Sequence, residues 1–288
     1  MFLHLKYNCH FIDFHCYFYY TVCILFCALH RQKNIHERKD CFTVNDKFIR
    51  SIEIDWNRVE EDSYLHQITA LRQMDFLEFQ KNITIFVGEN GTGKSTLLEA
   101  IATSYGFNPE GGTLNYRFST FDDVSSLKDS LRLTKGCRRA KSNYFFRAES
   151  FFNVASKAED YRDFTPKEIF YSRYGGKSLH EQSHGESFLT YFQSFDEAGL
   201  YLMDEPEAAL SPQRQLTLLL QIVKLAEAGA QFIIASHSPI LLGIPEADII
   251  SFDSGEIKRC SWDDTESYQV MEMFINHREA LLSRLLDD

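Results

Sequence analysis

Positive charge is scarce in this chain. Its 288 residues hold 30 Lys and Arg against 41 Asp and Glu, a formal net charge of -11. Such a surface excludes general, nonspecific attraction to nucleic acid, although a local basic patch remains open. None of the seven cysteines stands in a C-x-x-C pair, which removes the familiar zinc spacings. Cys41, Cys137 and Cys260 are scattered, a pattern that argues against a disulfide scaffold and points to a reduced, cytoplasmic protein. There is no internal repeat, no proline-rich linker and no sustained heptad pattern, so solenoids and coiled-coil arms drop out. What is plentiful is apolar residue, 44%, enough for a packed core in one large domain or two small ones.

The first forty-odd residues do not match the rest. Met1 to Cys41 hold five of the seven cysteines and five of the ten histidines. Phe14 to Leu29 contains no Asp, Glu, Lys or Arg, and Arg31, Lys33, Arg38 and Lys39 follow it. A membrane anchor with a cytoplasmic basic flank is one reading, but a spanning helix needs ~20 apolar residues. Residues 11–29 fit that poorly, because the uncharged run is short, rich in aromatics and preceded by Asp13. A signal peptide fits less well, for want of a basic start and a small-residue cleavage site. Cys9, Cys16 and Cys23 are seven apart, and Cys23, Cys27 and His30 could share a helix face, but biased composition accounts for them more simply than zinc. The favoured reading makes 1–46 an atypical leader outside the fold, as a misplaced start codon would produce, and 47–288 the functional domain.

That domain reads as strands alternating with helices. Phe48 to Asp55 alternates apolar and polar residues, as a half-buried strand does. Ile83–Val87, Gly199–Met203, Gln231–Ala235 and Ala247–Phe252 are short apolar runs of the kind buried on both faces. Helices are expected after Lys94, from about Pro212 to Ala228, and amphipathically over the last twenty-odd residues, with Tyr268, Val270, Met271, Phe274 and Ile275 on one face. The prediction is an α/β fold: a mostly parallel sheet flanked by helices.

The run Gly88-Glu89-Asn90-Gly91-Thr92-Gly93-Lys94-Ser95-Thr96 follows the Ile83–Val87 strand and opens a helix. Gly88 to Ser95 matches G-x-x-x-x-G-K-[ST] in full, in the context that motif requires. Glycines let successive backbone N–H groups turn inward onto phosphate oxygens at a helix N-terminus. Lys94 adds a full charge at the β- and γ-phosphates, and the Ser95 hydroxyl can ligate Mg²⁺. Further on, Leu200-Tyr201-Leu202-Met203 runs into Asp204-Glu205-Pro206. Asp204 thus stands at the C-terminal end of a buried strand, the edge where open α/β sheets bind ligands, and is the expected Mg²⁺ residue. Glu205, one position on, can act as general base toward the attacking water.

Asp204-Glu205-Pro206 resembles the Walker B aspartate and catalytic glutamate of ABC ATPases. Around it, Gln182-Ser183-His184-Gly185-Glu186-Ser187 stands where that family carries its signature, Ala208-Ala209-Leu210-Ser211 where the D-loop falls, and Ile233-Ile234-Ala235-Ser236-His237-Ser238-Pro239 ends on the switch histidine. The resemblance covers about Lys47 to the end. It is closest to the soluble branch with the SMC and Rad-type double-strand-break-repair ATPases, and closer still to small bacterial predicted ATPases with Ser-His-Gly-Glu and Asp-Glu-Pro-Glu-Ala-Ala-Leu-Ser-Pro runs. It implies a P-loop NTPase fold with a small helical, signature-bearing lobe at about 107–198. It also implies ATP and Mg²⁺ as cofactors, and a homodimer that sandwiches nucleotide, with Ser183 and Gly185 reaching the γ-phosphate held by the other chain and His237 contacting the γ-phosphate. Three departures qualify it: His184 replaces the first signature glycine, Ser211 replaces the usual D-loop Asp, and no Q-loop glutamine is evident. Glu149, in Phe146-Arg147-Ala148-Glu149-Ser150, is the substitute for that metal-side residue.

Only about ninety residues separate Ser95 from Ser183, too few for a coiled-coil arm beside a helical lobe. Lys128, Arg132, Lys135, Arg138, Arg139, Lys141 and Arg147 fall in this interval, with only Asp129 opposing between 128 and 147, and Tyr144, Phe145 and Phe146 sit among them. Basic residues interleaved with aromatics can bind nucleic acid; a solvated charged helix beside a core aromatic cluster is the plainer reading. The expected role is an ATPase in DNA repair, genome maintenance or defence, with a DNA or nuclease partner. The energising subunit of a membrane transporter is the alternative, and a nucleotide-gated switch that hydrolyses poorly a third.

Overall fold

The computed structural model describes residues 47–114, 126–151 and 184–286. The leader, and with it the candidate anchor and the cysteine-histidine cluster, lies outside the described residues. Two sheets form. The smaller is antiparallel, β2-β1-β4, from β1 (Ile49–Ile54), β2 (Phe76–Glu78) and β4 (Leu131–Lys135). The larger has the order β5-β6-β7-β3-β8-β9, from β3 (Ile83–Val87), β5 (Ser142–Arg147), β6 (Gly199–Asp204), β7 (Gln231–Ala235), β8 (Asp248–Ser251) and β9 (Lys258–Cys260). Its first five strands run parallel and β9 closes the edge antiparallel. The fold is α/β, with a mixed sheet flanked by helices.

The apolar runs predict this burial, and alternation sorts their side chains between two cores. Ile83, Ile85, Tyr144, Phe146, Tyr201, Met203, Phe232 and Ile234 face one side. There they meet α4 (His184–Gln193), α5 (Pro212–Glu227) and α6 (Pro239–Leu242) through Phe188, Phe192, Leu218, Ile222 and Leu241. Phe86, Phe145, Leu200, Leu202, Ile233 and Ala235 face the other side, against the small sheet and α2 (Lys94–Tyr105), the helix that follows the glycine-rich loop. The short α1 (Thr69–Arg72) and α3 (Leu127–Ser130) also pack there. The buried amide of Gln231 joins the sheets: its Nε2 donates to the Ile49 carbonyl and its Oε1 accepts from the Ile49 N–H, both at 2.9 Å.

Two expectations change. Within the predicted helical lobe at about 107–198, residues 131–135 and 142–147 are strands β4 and β5, one in each sheet. Tyr144, Phe145 and Phe146 are 2%, 1% and 1% exposed, so they are core and offer no stacking platform. The basic residues around them find partners that local charge counting misses: Arg132 pairs with Asp55 at 3.2 Å, Lys135 donates to the Tyr105 carbonyl, and Arg147 reaches Glu99 and Asp204. A solvated charged helix is therefore not what this stretch forms. The amphipathic C-terminal helix does form, as α7 (Glu266–Leu286), but none of its residues is buried. Its apolar face, with Phe274 and Ile275, stays exposed.

Candidate functional site

Five adjacent parallel strands end at one edge of the large sheet, and each delivers a polar group there. β3 leads into the glycine-rich loop, β7 into His237, β6 into Asp204 and Glu205, β5 into Arg147 and Glu149, and β8 into Asp253. Strand order thus gathers residues 88 to 253 at the C-terminal edge where α/β sheets bind ligands.

The loop after β3 has left-handed glycines at Gly88 (φ 145), Gly91 (φ 81) and Gly93 (φ 98). At Gly93 a side chain is also blocked by space, because a Cβ there would lie 2.7 Å from Cγ2 of Ile68. Lys94 is 4% exposed and its ammonium donates to the Gly88 and Glu89 carbonyls at 2.6 and 2.7 Å. Burial pulls its pKa below the ordinary lysine value, against the pull of Glu205, Asp253 and Asp204. Asp253 pins the loop from outside by accepting the Glu89 N–H at 3.0 Å. Thr92 folds back on the Glu89 carbonyl, and Thr96 lies in the first turn of α2. Beside the loop opens a cavity of ≈ 430 Å³, lined by Gln67, Thr69, Asn90, Gly91, Thr92 and Ser254 among others.

Across the edge, Ser95 Oγ donates to Asp204 Oδ1 at 2.8 Å, and Arg147 Nε stands 3.7 Å from Asp204 Oδ2. Arg147 and Asp204 are register partners of β5 and β6, and Arg147 Nη1 also donates to Glu99 of α2 at 2.6 Å. Burial raises the Asp204 pKa to about 6, with Ser95 and Arg147 pulling it down. A buried carboxylate disfavoured in its charged form and facing a hydroxyl suits a cation, so the donor set fits Mg²⁺. Glu149, exposed just beyond β5, is near enough to raise the Asp204 pKa further.

Glu205 follows at φ 49, a left-handed conformation unusual for a non-glycine residue. The turn brings its Oε1 to 3.9 Å from Nε2 of His237. Burial, then Lys94, lowers the His237 pKa, which favours a neutral ring. Its Nε2 is buried without a hydrogen-bond partner among the described residues. The loop, Asp204, Glu205 and His237 thus come together at one edge. Gly185 lies in the first turn of α4, which starts at His184, one residue before the expected Gly185. Ser183 lies outside the described residues. Arg147, Glu207 and Asp253 have no role in the motif reading. Register with the Asp204 strand is the one signal that could have found Arg147, and it needs the strand order.

Among the described residues no cluster of three or more His, Cys, Asp or Glu gathers as a metal site, and Cys137 and Cys260 are free thiols. No described helix is long and apolar enough to cross a membrane. A family model described as AAA domain matches residues 64–218, which is 155 of the 288 positions. No curated protein matches the chain in sequence. Among solved structures it resembles cbiO1 from Clostridium perfringens, part of the ABC transporter complex cbiONQ, at 15% identity and TM-score 0.46. The match covers 84% of this chain and 100% of that one. It also resembles the ADP conformation of MJ1267, an ATP-binding cassette of an ABC transporter, at 16% identity and TM-score 0.44, covering 80% and 99%.

Proposed function

The chain belongs to the AAA domain family and carries an ATP-binding domain, and from that premise we propose that it hydrolyses Mg-ATP at the C-terminal edge of its large sheet. The observation that carries this is the meeting of the glycine-rich loop with two carboxylates of different environment. Asp204 is buried on Ser95, and Glu205 is turned toward His237. The backbone N–H groups of Gly88 to Thr96 hold the phosphates, and Lys94 exchanges its two carbonyl acceptors for phosphate oxygens. Ser95 and Asp204, with Glu149 on the metal side, would hold Mg²⁺, which would supply charge neutralisation to the phosphates. Glu205 takes the proton of the attacking water. His237 contacts the γ-phosphate through an imidazole nitrogen. The cavity beside the loop leaves room for the nucleoside.

In the same reading the chain belongs with the soluble ABC branch, on the strength of its Ser183-His184-Gly185-Glu186 run, and residues 1–46 are a leader outside the 47–288 ATPase domain. Ser183, and Gly185 in the first turn of α4, act on the nucleotide of a second copy, so that a homodimer closes when ATP is bound. A helix N-terminus gains an anionic partner in the γ-phosphate that ADP lacks. Two couplings are open to such a dimer: DNA repair, genome maintenance or defence with a DNA or nuclease partner, and transport with a separate membrane subunit. The deciding experiment takes the full chain carrying Glu205→Gln through light scattering with and without Mg-ATP. The expected result is a dimer with ATP that Ser183→Arg prevents while single-chain ATP binding persists. A monomer at saturating Mg-ATP overturns the sandwich. ATPase assays with and without DNA then separate the couplings.

A further inference from the structure

Glu207 stands two residues after Glu205, in the same turn, and none of the roles above uses it. Its Oε1 collects three donors from the segment leaving β7: Ser236 Oγ at 2.8 Å, the His237 N–H at 2.6 Å and the Ser238 N–H at 3.2 Å. Ser236 and Ser238 are 0% and 6% exposed. Donors from three consecutive residues on one oxygen fix the direction in which the chain leaves β7, as an anion does in a backbone nest. Charge-assisted bonds of this kind are short and strong. The other oxygen, Oε2, is buried and makes no hydrogen bond among the described residues, a cost a residue serving only to fill space would not carry.

A second tie runs beside the first. Ser238 Oγ donates to Gln215 Oε1 at 2.5 Å, and Gln215 Nε2 donates to the Leu210 carbonyl at 3.0 Å. The turn itself is closed by the Ala208 N–H on the Glu205 carbonyl and the Leu210 N–H on the Glu207 carbonyl. The residues from 205 to 210 are therefore bonded to one another and tied to 236–238 twice, directly through Glu207 and indirectly through Gln215.

We propose that Glu207 is a positioning residue for His237, coupling the placement of that ring to the turn that carries Glu205. The proposal rests on the ATPase reading above. The test measures kcat and KM of the full chain for wild type, Glu207→Ala, His237→Ala and the double variant. Glu207→Ala is expected to lower kcat by roughly 10- to 100-fold with KM within about threefold, and to add less than about twofold once His237 is gone. Glu207→Gln, which keeps an acceptor oxygen, should recover most of the loss. Equal factors in both histidine backgrounds, or a glutamine variant no better than alanine, overturn the proposal. If Glu207→Ala does not fold, Glu207→Gln and Glu207→Asp carry the same comparison. A second readout needs no turnover: the ring resonances of His237, assigned by their loss in His237→Ala, should shift in Glu207→Ala and stay nearly in place in Glu207→Gln. Unmoved resonances overturn the proposal. A wild type with no more turnover than Lys94→Ala overturns the ATPase reading instead, and the ring resonances still decide on Glu207.

Discussion

The glycine-rich loop at 88–95 and the acidic turn at 204–210 meet at one sheet edge and are built on opposite plans. The first is shaped locally. Its bends are glycines at positive φ, and its lysine is held by carbonyls of its own loop, Gly88 and Glu89. The second is shaped by distant partners: Asp204 by Ser95 and Arg147, Glu207 by residues 236–238, with Glu205 alone in a left-handed conformation. One is a form into which an anion fits; the other is negative charge placed by tertiary contacts. Changes in the loop should therefore act first on nucleotide affinity, and changes in the turn on turnover and on stability without ligand.

The largest effect expected separates these two at once. Glu205→Gln should slow hydrolysis by roughly 100- to 10,000-fold while ATP affinity stays within a few-fold, since the phosphate cradle is intact. Wild-type turnover would remove Glu205 from the role of base. Lys94→Ala should weaken ATP binding by about 100-fold, about 3 kcal/mol, in an equilibrium nucleotide titration; unchanged affinity would break the comparison. Gly93→Ala should also weaken binding, by roughly 10-fold, because it combines a left-handed backbone with a Cβ pressed on Ile68 and Leu71.

Asp204 sharpens the comparison through pH. Its pKa is raised from 3.8 to about 6, so the folded protein binds this proton more tightly than the unfolded chain. Stability without ligand therefore falls as pH rises between those values. Above about pH 6 the buried charge costs roughly 2 to 3 kcal/mol. Asp204→Asn, with chelator and no nucleotide, should melt above wild type at neutral pH and level with it near the lower end of that window. An equal gap at both ends would mean the carboxylate carries no such cost. The smallest effect is expected at exposed Glu149: Glu149→Gln should raise the Mg²⁺ needed for half-maximal turnover by about 2- to 5-fold, under about 1 kcal/mol.

The same division explains what was legible in the sequence. The apolar runs at 83–87, 199–203 and 231–235 show their burial in composition, and Gly88 to Ser95 carries its bends in its own glycines. Asp204 is found because an apolar strand runs straight into it. Arg147 is read as one of a row of basic residues, because its partners, Glu99 and Asp204, are 48 and 57 positions away. Tyr144, Phe145 and Phe146 are legible as a core cluster, but not as a strand covered on both faces, because the elements that cover β5 come from elsewhere in the chain. Glu207 passes as an ordinary acidic residue after the motif, since its donors lie thirty residues on. The amphipathic pattern of α7 correctly predicts a helix but contains nothing about whether its apolar face is covered.

The strand order also fixes when this protein can begin to work during its synthesis. β3, which carries the glycine-rich loop, lies between β7 and β8. Both of its neighbours are translated after residue 230, later than the loop and both carboxylates. A nascent chain that has already produced the loop and both carboxylates has nowhere to seat Ile83, Ile85 and Phe86, and it keeps apolar surface in reach of other nascent chains and of holding chaperones. Pairings between such distant segments also close slowly. The ability to hold a nucleotide is therefore not accumulated as the ribosome moves along the message; it waits until β7 and β8 have been made and can close on either side of β3.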